Sequence, residues 1–448
     1  MTARLRKLLT DLGDNFWLVP ALLVLAGILL AMLALWVDDS RLIPPWMLAG
    51  WLYNGGGTGA RTLLGAIASS SIGVAGTVFS ITIAALSLAA GQMGPRLLRN
   101  FVRDRGNQIT LGALLGTFSY ALMVLRSVRT QDEGAFTPHL ALSFAILLAL
   151  LCVGTLVYFV GHMAGRINVD TVVQLVSDDV HSAILRLTSD TAPIDMPPAD
   201  WSRATEIRDS RRGYLQELDE SGLASWASEQ NTTVRLLVRP GDYIFPGAPI
   251  ALVVPEVEGV GGAIRDATAI GQTRVSSADL EFAVRQLVEV AVRALSPGIN
   301  DPHTAISVID RLGTALCDVA PRHLPNGVVL RNDRPVLFVP SVDYDGLTDA
   351  MLHMIRQNAT TSPAVLIRML DVLTMVAACE GDPGRRASLD RHADLVLADA
   401  ERAVPNAADR ADIVRRHANY QLVRRQGVAA IVRNRDREEE AGGEREAK

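Results

Sequence analysis

Four long stretches without charge, all within the first 165 residues, constrain this chain more than any other feature. Residues 16–36 are 21 positions without a charged side chain, and a helix of about 20 apolar residues crosses roughly 30 Å of hydrocarbon. No charge falls between Arg61 and Arg96, residues 106–125 add 20 uncharged positions, and residues 134–165 carry only His139 and His162 as groups titrating near neutrality. Membrane spans are therefore predicted near 16–36, 68–92, 107–125 and 140–162, within a transmembrane domain at 1–165. Arg4, Arg6 and Lys7 precede the first run as in a signal peptide. That run is too long for a signal-peptide core and no convincing small-residue cleavage site follows, so it reads as a retained anchor.

Charge divides the chain in the same place. Residues 1–165 hold 11 basic and 7 acidic side chains, whereas 166–448 hold 32 and 41, so the net −5 averages two unlike halves. Excess Arg and Lys in short loops marks the cytoplasmic side. The loop after the second run has Arg96, Arg99, Arg103 and Arg105 against Asp104, while the loops around Asp38, Asp39, Arg41 and Arg61 and around Arg126, Arg129, Asp132 and Glu133 are balanced. Four spans from a cytoplasmic start return the chain to the cytoplasm at Arg166. The expected arrangement is multi-pass, with the N-terminus and the C-terminal domain in the cytoplasm.

The second run has a periodic composition. Ser69, Gly73, Gly76, Ser80, Ala84, Ser87 and Gly91 recur at spacings of 4, 3, 4, 4, 3 and 4, which places them on one helical face. Small residues let membrane helices approach closely, so the stripe reads as a packing seam within the bundle or between subunits; its hydroxyls also allow a polar path through an oligomer. No carboxylate or arginine lies inside a predicted span, which weighs against ion-coupled transport, and His162 reads as interfacial.

Beyond residue 165 the pattern is that of an α+β domain, a small β-module with a helical bundle. Residues 166–190 form an amphipathic juxtamembrane helix, and TAPIDMPPAD at 191–200 marks a linker. A β-rich module is predicted at 205–275, with strands at 232–238 and 249–254. Residues 239–250 (RPGDYIFPGAPI) look like half of a barrel-sandwich hybrid, two glycine turns bracketing a short strand, without the lysine that carries a prosthetic group in such domains. Residues 276–433 are read as helical, and 434–448 as a disordered charged tail. In the helix at 277–295, Glu281, Arg285, Glu289 and Arg293 stand four apart as a solvated ladder or a charged seam. At the end of that helix lies SPGINDP, where Asp301 is a natural N-cap and Pro302 a natural first residue. Asn300, Asp301 and His303 also form a candidate anion or partner-binding junction, because free amides gather at a helix N-terminus.

Lysine usage excludes several chemistries. Lys7 and Lys448 are the only lysines, so a Walker A loop, a pyridoxal Schiff base and a biotin or lipoate arm have no usable residue. Cys152, Cys317 and Cys379 are far apart in sequence and suggest neither a disulfide framework nor a thiolate zinc site. No GxSxG, HExxH, phosphate loop or clustered His and carboxylate spacing is present. No catalytic residue, cofactor, metal or nucleic-acid partner is assigned; the expected partners are the lipid bilayer and further copies of the chain.

Four stretches together resemble a bacterial membrane-protein family, domain of unknown function 2254: residues 79–101 (FSITIAALSLAAGQMGPRLLRNF), 212–219 (RGYLQELD), 239–250, and 279–305 (DLEFAVRQLVEVAVRALSPGINDPHTA). Ala283 stands where the resemblance implies a glycine. The resemblance implies a bacterial origin, and with it a place in the cytoplasmic (inner) membrane, with N-terminal membrane helices followed by a soluble domain, and no agreed activity. Three functional readings follow: an oligomeric channel or conduit with a cytoplasmic assembly or gating domain, a membrane-anchored scaffold or sensor, and a membrane enzyme acting on lipid or envelope substrates.

Overall fold

A computed structural model describes residues 15–40, 56–93, 104–129, 136–166, 169–194, 200–274 and 279–431. The basic N-terminus, the arginines at 96, 99 and 103 and the tail at 434–448 lie outside the described residues. The chain divides into two compact units between residues 168 and 169.

The first unit holds four helices long and apolar enough to cross a membrane: α1 (Leu18–Asp39), α2 (Gly57–Met93), α3 (Arg105–Ser127) and α4 (His139–Arg166). Helix α2 begins well before the predicted start at 68 and takes in Arg61. The absence of charge locates the segment that can sit in hydrocarbon, whereas the helix continues as long as its backbone bonds are made. Helix α3 is the central one: 56% of its most apolar stretch is buried, against 22% for α1 and α4 and 33% for α2. This position explains its polar residues. Asn107, Gln108, Thr110 and Thr117 are all buried, turned inward where lipid would not tolerate them.

Glycines set how closely α1 and α3 meet. A β-carbon at Gly27 would collide with the Gly116 carbonyl, one at Gly116 would stand 2.8 Å from the Leu23 carbonyl oxygen, and one at Gly112 would reach the Pro20 backbone at 3.0 Å. Gly112 and Gly116 form the small-xxx-small pair that permits such approach. Polar ties fix the ends. The Asp38 carboxylate at the end of α1 accepts hydrogen bonds from the Leu140 and Ala141 amides at 3.0 and 2.9 Å, capping α4 from another helix. Buried Tyr120 donates its hydroxyl to the Ala141 carbonyl at 2.9 Å.

The second unit begins with α5 (Val169–Leu187), whose inner face is Val172, Val173, Val176, Val180, Ala183 and Ile184. It packs on α8 (Leu280–Ala294) and α9 (Pro302–Val319), so its apolar stripe belongs to this unit's core. Two sheets follow. Strands β1 (Thr205–Arg208), β5 (Pro249–Val254), β3 (Thr233–Leu236), β8 (Arg334–Phe338) and β7 (Val328–Arg331) make one in that order, and β4 (Tyr243–Ile244), β2 (Gly213–Leu218) and β6 (Thr268–Gly271) make the other. Helices α6 (Glu220–Glu229) and α7 (Val260–Ala267) join them around a core that includes Leu215, Leu223, Val234, Leu236 and Val253.

Two expectations change here. The segment at 239–250 does not pair upon itself: β4 joins β2, and β5 lies between β1 and β3. Gly241 and Gly247 do take left-handed conformations, φ +99° and +80°. The segment at 276–433 is not wholly helical, because it supplies the hairpin β7–β8, and β8 pairs parallel with β3 through Val234 and Leu337. The remaining elements are α10 (Tyr344–Asn358), α11 (Pro363–Cys379), α12 (Pro383–Ala403) and α13 (Ala407–Gln426).

The charged ladder on α8 serves as a seam. Arg239, beside the Gly241 turn, reaches Glu281 at 2.7 Å, and Arg285 reaches the same carboxylate at 3.2 Å. All four ladder residues are half-buried. Burial alone raises the Glu281 pKa, but the Arg239 hydrogen bond and charge, with those of Arg285, outweigh it and hold the carboxyl below its ordinary value. Arg274 pairs with buried Asp279 at 2.9 Å beside the same turn.

Two outcomes are expected. Gly116→Leu should separate α1 from α3 and lower the stability of the detergent-solubilised protein by about 1–3 kcal/mol, while Gly76→Leu, with open space around it, leaves thermal unfolding of the single chain unchanged. Arg239→Met should destabilise the second unit by about 1–3 kcal/mol. The stabilisation from Glu281 is present above its unfolded pKa and is lost as pH falls through the lower folded value, so acid denaturation monitored by circular dichroism should separate the variant from the parent least at the lowest pH.

Candidate functional site

Ser69, Gly73, Gly76, Ser80, Ala84, Ser87 and Gly91 all lie on the exposed face of α2 within the single chain. The opposite face, with Leu64, Ile67, Ala68, Ala75, Val78 and Ala85, packs into the bundle. The seam inside the bundle is therefore the glycine contact between α1 and α3, and the stripe looks outward. Its hydroxyls already donate along their own helix: Ser69 to the Gly65 carbonyl at 2.7 Å and Ser80 to the Gly76 carbonyl at 2.9 Å. Their donors are thereby satisfied without a partner helix, and the hydroxyl oxygens keep acceptor capacity.

At the junction between α8 and α9, Asp301 acts as a cap. Its carboxylate accepts from the His303 and Thr304 amides at 3.1 and 3.2 Å and from the Thr304 hydroxyl at 2.6 Å. The Thr304 hydroxyl bond and the amide bonds lower the Asp301 pKa. Asn300 takes φ +50°, and both Asn300 and His303 are exposed. Sequence proximity brings these three residues together, and capping accounts for the geometry around Asp301.

A polar group at one end of the membrane bundle joins residues far apart in sequence. The Asp104 carboxylate caps α3 by accepting from the Gly106 amide at 2.8 Å and meets His162 Nε2, from α4, at 2.8 Å. Tyr158 stacks on His162 with ring centroids 5.2 Å apart. His162 thus has a carboxylate partner on a neighbouring helix. Asn107 is buried in the first turn of α3, with both side-chain amide atoms lacking a hydrogen-bond partner.

The second unit contains a group that sequence reading missed. Asp349 and His353 stand one turn apart on α10, and His392 comes from α12. Asp349 Oδ1 lies 3.1 Å from His353 Nε2, 3.0 Å from His392 Nε2 and 2.6 Å from the Arg391 guanidinium. His392 is fully buried, whereas His353 and Asp349 are half-exposed. Burial, with the charges of Arg391 and His353, pushes the His392 pKa down to about 4, so its imidazole is neutral at physiological pH. Its Nδ1 has no hydrogen-bond partner. The group lies in a polar seam between α10 and α12 that also holds Asp345 with Ser388 and Arg356 with Asp399. The Asp349 and His353 spacing of four was the available signal; the third member is 39 positions farther along and no local motif contains it.

The fold also brings Cys317 of α9 to Cys379 of α11, although the two are distant in sequence. Both are free; burial and the neighbouring Cys379 push the Cys317 thiol up to about 11, which leaves it protonated.

The family described as "Predicted membrane protein (DUF2254)" matches residues 13–375. Among curated proteins, "Uncharacterized protein MT1328" and "Uncharacterized protein Rv1290c", both from Mycobacterium tuberculosis, and "Uncharacterized protein Mb1321c" from Mycobacterium bovis are each 30% identical to this chain over 450 residues. Each match covers 96% of this chain and 85% of the relative. No solved structure matches the chain.

The capping role has a direct test. Asp301→Ala should lower the thermal stability of the second unit by about 0.5–2 kcal/mol, and Asp301→Asn should recover most of it, since an amide oxygen also caps.

Proposed function

The chain belongs to the DUF2254 family of predicted membrane proteins, and from that premise we propose that it works as a homo-oligomer in the bacterial cytoplasmic membrane. Copies meet along the small-residue stripe of α2. A conduit runs between copies, and the second unit, on the cytoplasmic side, assembles or gates it. The mycobacterial relatives support a bacterial setting, and the arginine-rich connection at 96–105 supports the orientation.

One observation carries this reading: the stripe from Ser69 to Gly91 faces away from the bundle that its own helix helps to build. A membrane helix with small residues on its outer face is shaped for close approach of another helix. The hydroxyl oxygens of Ser69 and Ser80, already bonded to their own helix as donors, line that face as acceptors for a passing cation. A second reading, an anchor or scaffold without transport, draws on the same bonds, because a hydroxyl satisfied by its own helix also tolerates lipid.

Cysteine placed at Gly76 or Ser80 should cross-link pairs of chains in native membranes, whereas cysteine at buried Ala75 should not. In proteoliposomes the parent should pass ions, with Gly76→Leu reducing both cross-linking of a Ser80→Cys partner and flux by tenfold or more. Cross-linking without flux favours the scaffold, and a monomer without flux removes the oligomeric reading altogether. Reporter fusions after Arg103 and at the C-terminus should both report the cytoplasm.

A further inference from the structure

We propose that Asp349, His353 and His392 form a binding site for a first-row divalent transition metal ion, a role independent of whether the membrane unit conducts. Two imidazoles and a carboxylate are the donor set that zinc, iron(II) and their neighbours share. The spacing fits. Ligand atoms about 2.0–2.1 Å from one ion stand roughly 2.8–3.4 Å apart at octahedral to tetrahedral angles, and the two Nε2 atoms lie at 3.0 and 3.1 Å from Asp349 Oδ1. All three donor atoms fall within 4.8 Å of one another. His392 comes from a fully buried position that fixes one ligand, while half-exposed His353 and Asp349 leave room for water or a further ligand on the other side.

The buried histidine is also the fixed member of the set. Its ring sits in the core with Nε2 held 3.0 Å from Asp349 Oδ1, so the nitrogen offered to an ion is already aimed. A carboxylate can only accept, so in the metal-free geometry both rings donate Nε2–H to Asp349. Coordination selects the neutral tautomer that carries its proton on Nδ1, so each ring exchanges Nε2–H for Nδ1–H with no net proton released; half-exposed His353 makes the exchange with solvent, and buried His392 makes it when the seam between α10 and α12 opens locally. Arg391 is the competitor, because its guanidinium holds the same Asp349 oxygen at 2.6 Å. It has an alternative: the Asp345 carboxylate is 3.9 Å away, so Arg391 transfers there when the ion arrives. Arg356, 3.4 Å from His353 Nδ1 and held by Asp399, must also shift, since Nδ1 becomes a donor.

The test uses full-length protein in detergent, stripped with chelator and titrated with Co²⁺ as a spectroscopic probe and with Zn²⁺ in competition. The parent should bind one Co²⁺ per chain with visible ligand-field bands that Zn²⁺ displaces. Asp349→Asn and His353→Ala, both at half-exposed positions, should weaken binding at least tenfold while the circular dichroism spectrum is retained. Arg391→Gln should bind as tightly as the parent or more so, an outcome that a merely structural ion pair does not produce. Absence of stoichiometric Co²⁺ in the parent, unchanged affinity in both ligand variants, or weaker binding in Arg391→Gln would each overturn the assignment. Ion flux is not a readout here, so failure of the conduit reading leaves the result intact.

Discussion

The first unit depends on backbone meeting backbone at Gly27 and Gly116. In a bilayer, lipid tails are as apolar as leucine, so burying leucine against leucine gives little preference for helix over lipid. What distinguishes the neighbour is how near it comes, and glycine permits the nearest approach. From this contact the rest follows. Once α1 lies against α3, the Asp38 carboxylate accepts from the first amides of α4, and Tyr120 reaches Ala141. The polar inner residues of α3 are then enclosed by protein.

The second unit is joined by charge at a different place. The turn at Arg239 to Asp242 touches both sheet and helix: Gly241 donates its amide to the Leu215 carbonyl, and Arg239 holds Glu281 on α8. A side chain at Gly241 would run into the Asp279 carboxylate. Three of the sequence stretches that resemble the family thus converge at one junction between strands and helices. Their resemblance has a packing basis, because turn, strand and helix start must all keep their chemistry for this junction to close.

The membrane half was legible because one rule governs it: no charge may enter hydrocarbon, so four uncharged runs predict four helices. Which helix occupies the centre was less visible, since the glycines of α3 look unremarkable beside the longer small-residue stripe of α2. The spacing of that stripe places its residues on one helical face, but periodicity says nothing about the direction in which a face points. Asp301 was legible as a cap because capping is local. The pairs Asp104 with His162 and Asp349 with His392 were not, since 58 and 43 positions separate their members and only tertiary packing brings them together. The hairpin β7–β8 escaped for a related reason, its partner strand β3 lying far upstream.

That parallel pair bears on the order in which the protein is made. Strand β3 occupies the centre of its sheet, with β5 on one side and β8 on the other. Synthesis delivers β5 soon after β3, but β8 only once the chain has passed Phe338. Throughout that interval a growing chain holds the sheet with one edge of β3 uncovered, and an uncovered edge recruits other strands. The membrane helices emerge first and fix each nascent chain to a surface, which restricts its encounters to two dimensions while the edge waits for its strand. The arrival of β8, rather than membrane insertion, is therefore the step that covers the open edge of β3.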